Sequence, residues 1–236
     1  MKTSETADLG WKGLYKMGGA GALIAGLLTI VDIIVFVIWP QPTSLDGWFA
    51  LFQNNWLVGL LDLDLLGIFG YVLLFPTILA LYLVLRRTSQ SWMAIATILT
   101  IVGITVYFTS NTAFSLLSLS NQYAAATTEA QRSMFLAAGQ ALLAIWWQTA
   151  FTESYILVSA ALLVTSVVML RSNVFSKKTA YVGILANLAG LGAYVQEALT
   201  HTLLLAVMNP IILGIWLILV GRRLFQLGRP ERKTPP

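Results

Sequence analysis

Five carboxylates and one imidazole are the groups best placed to do chemistry in an apolar setting: Asp32, Asp62, Asp64, Glu153, Glu197 and His201, the single histidine of the chain. An isolated charge in hydrocarbon costs a few kcal/mol or more, so acids within apolar stretches are neutralised, paired or hydrated. Their chemistry is therefore binding of protons, cations or metal ions. Glu197 and His201 lie four residues apart. On a helix that spacing allows a carboxylate–imidazole proton pair, or two ligands of a divalent metal. A helix-end hydrogen bond accounts for it as well. Asp32, Asp64 or Glu153 would have to supply a third ligand, and no spacing selects among them.

Other chemistries are excluded or unsupported. With no cysteine there is no disulfide, thiolate metal site or cysteine nucleophile. One histidine excludes a histidine-rich metal centre and a bis-histidine haem. No Ser or Thr has a neighbouring base in triad order. The glycine-rich stretch 18–21 lacks the strand and Lys of a phosphate loop and reads as helix packing. No cofactor is expected beyond a divalent metal at Glu197 and His201.

The elements that position these groups are membrane spans. Only 10% of the residues are charged and mean hydropathy is +0.79, outside the range of soluble domains. A span needs about 20 mostly apolar residues to cross roughly 30 Å of hydrocarbon. Six stretches qualify: 17–39, 57–85, 91–117, 149–170, 179–199 and 203–221, in one domain covering 1–236. Lys2, Lys12, Lys16, Arg86, Arg87, Arg171, Lys177, Lys178 and the tail basics from Arg222 to Lys233 fall at the termini or in alternate connections. The intervening connections hold only Arg132. This alternation follows the positive-inside rule and predicts both termini in the cytoplasm. The basic balance thus points to lipid headgroups, not nucleic acid. The stretch 17–40 is too long for a signal-peptide core and reads as the first span.

The stretch 128–148 opens with a capping box, Thr128-Glu129-Ala130-Gln131, and has helical apolar spacing. A further crossing would leave no room to turn before the next span. It is predicted to be an outer-surface amphipathic or re-entrant helix, with Trp146 and Trp147 at headgroup level. The loop 41–56 is expected to hug the same surface through Trp48, Phe49, Phe52 and Trp56. Pro76 and Pro210 should kink their spans, with Asn209 satisfying the backbone freed by its kink. The tail 228–236 reads as disordered.

Helical periodicity gives three spans a polar or small-residue stripe. The first carries Gly18, Ala22, Ala25, Thr29 and Asp32; the third Thr100, Gly103, Tyr107, Asn111 and Ser118. The fifth carries Gly183, Asn187, Gly190, Tyr194, Glu197 and His201. Such stripes point into a bundle. On the second span Asp62 and Asp64 face nearly opposite ways, so Asp64 is read as inward and Asp62 as solvated near the outer water. At a rise of about 1.5 Å per residue, Asp64 lies roughly 10 Å below the outer end, and the other acids also fall in the outer half.

Two segments resemble a known family. They are Gln122-Tyr123-Ala124-Ala125-Ala126-Thr127-Thr128-Glu129-Ala130-Gln131-Arg132 with the following 136–144, and Asn209-Pro210 with Trp216 and Gly221-Arg222-Arg223-Leu224. This pattern is similar to that of the bacterial membrane family called "domain of unknown function 4386". The resemblance implies a multi-pass protein of the bacterial cytoplasmic (inner) membrane and assigns no functional residue. The leading expectation is an all-α bundle of six spans that binds or transports a small cationic or proton-linked ligand through an outward-facing acidic cavity. Asp32 and Asp64 would carry charge or protons, Asn111 would contact the ligand, Glu153 would line the cavity, and Glu197 with His201 would form a gate. Alternatives are a metal-dependent intramembrane hydrolase at the outer interface, or a non-catalytic sensor or assembly protein.

Overall fold

The computed structural model describes residues 9–63, 65–200 and 204–229, and its regular structure is helical, with no strand among those residues. Hydrocarbon offers a backbone no partners, so an apolar chain closes its hydrogen bonds within helices. In order these are α1 Lys12–Ile38, α2 Leu45–Asn54, α3 Trp56–Asp62, α4 Leu65–Leu85, α5 Gln90–Ser110, α6 Ala113–Ala125, α7 Glu129–Ile145, α8 Ser154–Arg171, α9 Lys177–Thr200 and α10 Leu204–Leu227. A π-helical segment, Trp146–Glu153, joins α7 to α8. Among the described residues five runs are long and apolar enough to cross a membrane: α1, α4, α5 continued by α6, α7 continued by α8, and α10 from Met208.

α1 lies between α4 and α10 and runs antiparallel to both. Lipid gives little net hydrophobic drive between helices, so close backbone approach at small residues matters. Gly18 and Gly21 rest on Pro76, Ala80, Leu73 and Thr77 of α4. The Thr77 hydroxyl lies 3.0 Å from the carbonyl of Gly18. On the other side Gly19 and Gly26 meet Gly221 and Gly214, while Gly228 lies over Lys12 and Lys16. These contacts recur every seven residues, two helical turns, in opposite directions along α1 and α10. The start of α1 and the end of α10 therefore lie at one end of the bundle.

The same end collects the basic residues. Arg223 Nε donates to the carbonyl of Val174 at 2.7 Å, which ties the α8–α9 connection to α10. Leu85, the last residue of α4, packs in one core cluster with Tyr15 and Leu224. Lys12, Lys16, Arg86, Arg87, Arg171, Lys177, Lys178, Arg222, Arg223 and Arg229 thus flank a common end.

The opposite end is capped by α2, α3, α6 and α7, whose core contains Leu45, Trp48, Phe49, Phe52, Leu60, Leu63, Leu116 and Trp146. Several boundaries differ here from those read in the sequence. The expected loop 41–56 contains α2, started by Ser44, whose hydroxyl accepts from the Gly47 N–H. Its buried Trp48, Phe49 and Phe52 are a helical face, not a loop laid on a surface. The stretch 57–85 is two helices, α3 and α4. The stretch 91–117 is interrupted at Asn111 and Thr112, and α6 then extends to Ala125, into the region expected as loop.

The capping box at the start of α7 is present: Thr128 Oγ1 accepts from the N–H of Gln131, and Gln131 Oε1 accepts from that of Thr128. No turn follows α7. The π segment keeps the chain helical, giving an unbroken run of 43 residues from Glu129 to Arg171. α7 pairs with α6 as a hairpin continuing α5 and α8. The expected lack of room to turn before the next span does not arise, because the chain makes no turn there. At the C-terminal side, Gly228 belongs to the packed end and Arg229 is described with it; the rest of the expected tail, 230–236, and the connection 201–203 between α9 and α10 lie outside the described residues.

Candidate functional site

The small and polar faces are turned inward where the structure describes them. Gly18, Ala22 and Ala25 are buried, and Thr29 and Asp32 are half-buried. Thr100, Gly103 and Tyr107 are buried, Asn111 is half-buried, and Ser118, beyond the break, is exposed. On α9, Gly183, Asn187 and Gly190 are buried while Tyr181, Leu185 and Leu188 face outward.

The six proposed site residues have different fates. Asp32 sits half-buried in the C-terminal half of α1. Asn111 ends α5, and both ends of its amide are engaged: Nδ2 donates to the Tyr107 hydroxyl at 3.3 Å, and Oδ1 accepts from the Ala113 N–H at 3.2 Å. It thus restarts the helix as α6. Glu153 is exposed where the π segment meets α8. Asp64 and His201 lie outside the described residues, and Glu197 falls on α9 with its side chain outside the description. Among the described residues no three acidic or histidine side chains gather as a metal site.

Asp62 is the acid that sequence reasoning passed over. Expected to be solvated, it is 0% exposed, because the cap built by α2, α6 and α7 closes over α3. Neither carboxylate oxygen has a hydrogen-bond partner. Its main-chain carbonyl accepts from Gln41 Nε2 at 2.6 Å. Asp62 precedes the apolar run of α4, and burial raises its carboxyl from 3.8 to about 6. A signal was available: residues 17–85 hold four acids and no Lys, Arg or His, so no local cation can pair with it.

A second polar feature joins α8, α9 and α10. The Tyr155 hydroxyl donates to Asn209 Oδ1, and Asn209 Nδ2 donates to the carbonyl of Ala186. Gly190 leaves space against Asn209 and Ser159 at this junction. The amide of Asn209 therefore serves neighbouring helices, where the sequence reading had it satisfying its own kink. At the base of the cap, Tyr71 and Tyr107 stack at 4.2 Å between centroids, with Trp146 edge-on to Tyr107 at 6.2 Å. An open groove of about 650 Å³ between α6 and α7 is lined by Phe114, Ser115, Ser118, Leu119, Ala138, Ala141 and Leu142, and holds none of the candidate acids.

The fold is thus an all-helical one with membrane-length apolar runs, basic at one end and acidic at the other. No family model, curated protein or solved structure matches the chain.

Proposed function

We propose that this chain is a multi-pass protein of the bacterial cytoplasmic membrane, of the "domain of unknown function 4386" type, which binds or carries a small cationic or proton-linked ligand at its outer end. It crosses six times, through α1, α4, α5, α8, α9 and α10, with both termini cytoplasmic. In support, the basic residues cluster at one end, as the positive-inside rule requires of a cytoplasmic face. α9, with 24 residues, is long enough to be the sixth span.

The observation that carries the ligand assignment is the charge imbalance of the opposite end. Residues 17–85 supply Asp32, Asp46, Asp62 and Asp64 and no basic side chain. Such a surface in a low-dielectric setting favours cations and protons over anions. Asp32 and Asp64 act as carriers beside Asp62, Glu197 and His201 as a gating pair, and Asn111 positions the neighbouring helix. Proton or cation flux into proteoliposomes is the test. Asp32→Asn and Asp64→Asn reduce it severalfold, and flux unchanged in both against an active wild type would sink the assignment.

A further inference from the structure

We infer that Asp62 is a proton-binding site, whose ligand is a proton exchanged with the outer aqueous phase and not a metal ion or a basic side chain. This rests on the cation- or proton-linked reading above and narrows it to one ion at one residue.

Asp62 is 0% exposed and both carboxylate oxygens lack a hydrogen-bond donor. The one amide that reaches it, from Gln41, is spent on its main-chain carbonyl. An ionised carboxylate so placed carries a desolvation cost that no hydrogen bond offsets, whereas the neutral acid does not. Among the described residues no Lys, Arg or His side chain reaches the Asp62 carboxylate. α1 brings Asp32, α2 brings Asp46, and α4, α5 and α6 bring Tyr71, Tyr107 and Tyr123; Asp64 follows two residues along. Neither 17–85 nor 88–131 contains a Lys, Arg or His. The basic residue of the cap, Arg132, is exposed and paired with Glu129 at 3.3 Å.

A metal fits no better. Hard cations need several oxygen ligands, and the flanking Leu60 and Leu63 are buried in an apolar cluster. Asp62 is also the last residue of α3. The exchange is simple in balance: the carboxylate takes a proton from water at the outer face and returns it, with no other bond changed. Burial places this exchange in the mildly acidic range.

The test uses the full-length protein in lipid nanodiscs, by infrared difference spectroscopy between about pH 4 and about pH 8. A protonated-carboxyl stretch should titrate above the ordinary carboxylate range. It should disappear in Asp62→Asn, persist in Asp46→Asn, and move in frequency in Asp62→Glu. A wild-type spectrum without such a band overturns the inference, whatever the variants do. So does an identical band in a folded Asp62→Asn protein. Flux is scored separately: an Asp62 band without flux sinks the transport reading alone, and flux without the band sinks the proton site alone.

Discussion

The side-chain amide of Gln41 donates to the main-chain carbonyl of Asp62 at 2.6 Å, while the carboxylate on the same residue accepts nothing. The backbone freed at the end of α3 is satisfied, and the charged group beside it is not. Buried polar groups are ordinarily bonded, so an acid kept in this state calls for an explanation beyond packing.

Stability should therefore depend on pH through Asp62. Its folded value of about 6 lies above the ordinary 3.8, so the folded state holds the proton more tightly. Stability is full below about pH 4 and falls as pH rises through about 6, by on the order of 2–3 kcal/mol. Asp62→Asn should flatten that limb, leaving a higher melting temperature at pH 8 and little change at pH 4. Thermal unfolding across this range in nanodiscs measures it. A wild-type curve that rises with pH would contradict the assignment.

The α1–α10 seam should be intolerant of one added methyl. A Cβ on Gly19 would sit 2.6 Å from the Phe225 amide nitrogen and 2.9 Å from the Gly221 carbonyl oxygen, both rigid backbone. Gly19→Ala should cost about 1–3 kcal/mol, the usual penalty of overpacking. Gly70→Ala on α4, where nothing lies within 4 Å, should be neutral or slightly stabilising. Melting temperatures of the two variants give the contrast.

Asn209 should couple to Tyr155. Interhelical hydrogen bonds in membranes contribute roughly 0.6–2 kcal/mol. Tyr155→Phe and Asn209→Ala should each lower stability, and the double variant should lose less than the sum of the two. A thermodynamic cycle with an interaction near zero would show that the bond contributes nothing.

The orientation is open to a direct check. A fluorescent protein fused after residue 236 should fluoresce in cells, while alkaline phosphatase inserted between Ala126 and Thr127, at the tip of the α6–α7 hairpin, should be active outside. The reverse pair of results would invert the proposed topology.

Much of the helical frame was legible because charge and apolar length are one-dimensional signals. Stripe residues such as Asn187 and Gly190 face inward because the period of a helix alone fixes their side. What escaped was set by tertiary closure. Asp62 read as solvated because its depth in sequence is shallow, whereas its neighbours Leu60 and Leu63 join Trp48, Phe49 and Trp146 in one buried cluster. The seven-residue spacing of Gly214, Gly221 and Gly228 was visible, but its partner positions on α1 are known only once the helices are apposed. The π segment has no local sequence mark comparable to a proline or a cap.

The run from Glu129 to Arg171 is on the order of 60 Å long, about twice the thickness of a hydrocarbon core. The helix has no break along that length, so the α6–α7 hairpin and the packing of α8 against α5 and α9 share one axis. The π segment lies near its middle, with Trp146 of the aromatic stack at its start and Tyr155, bonded to Asn209, just past its end.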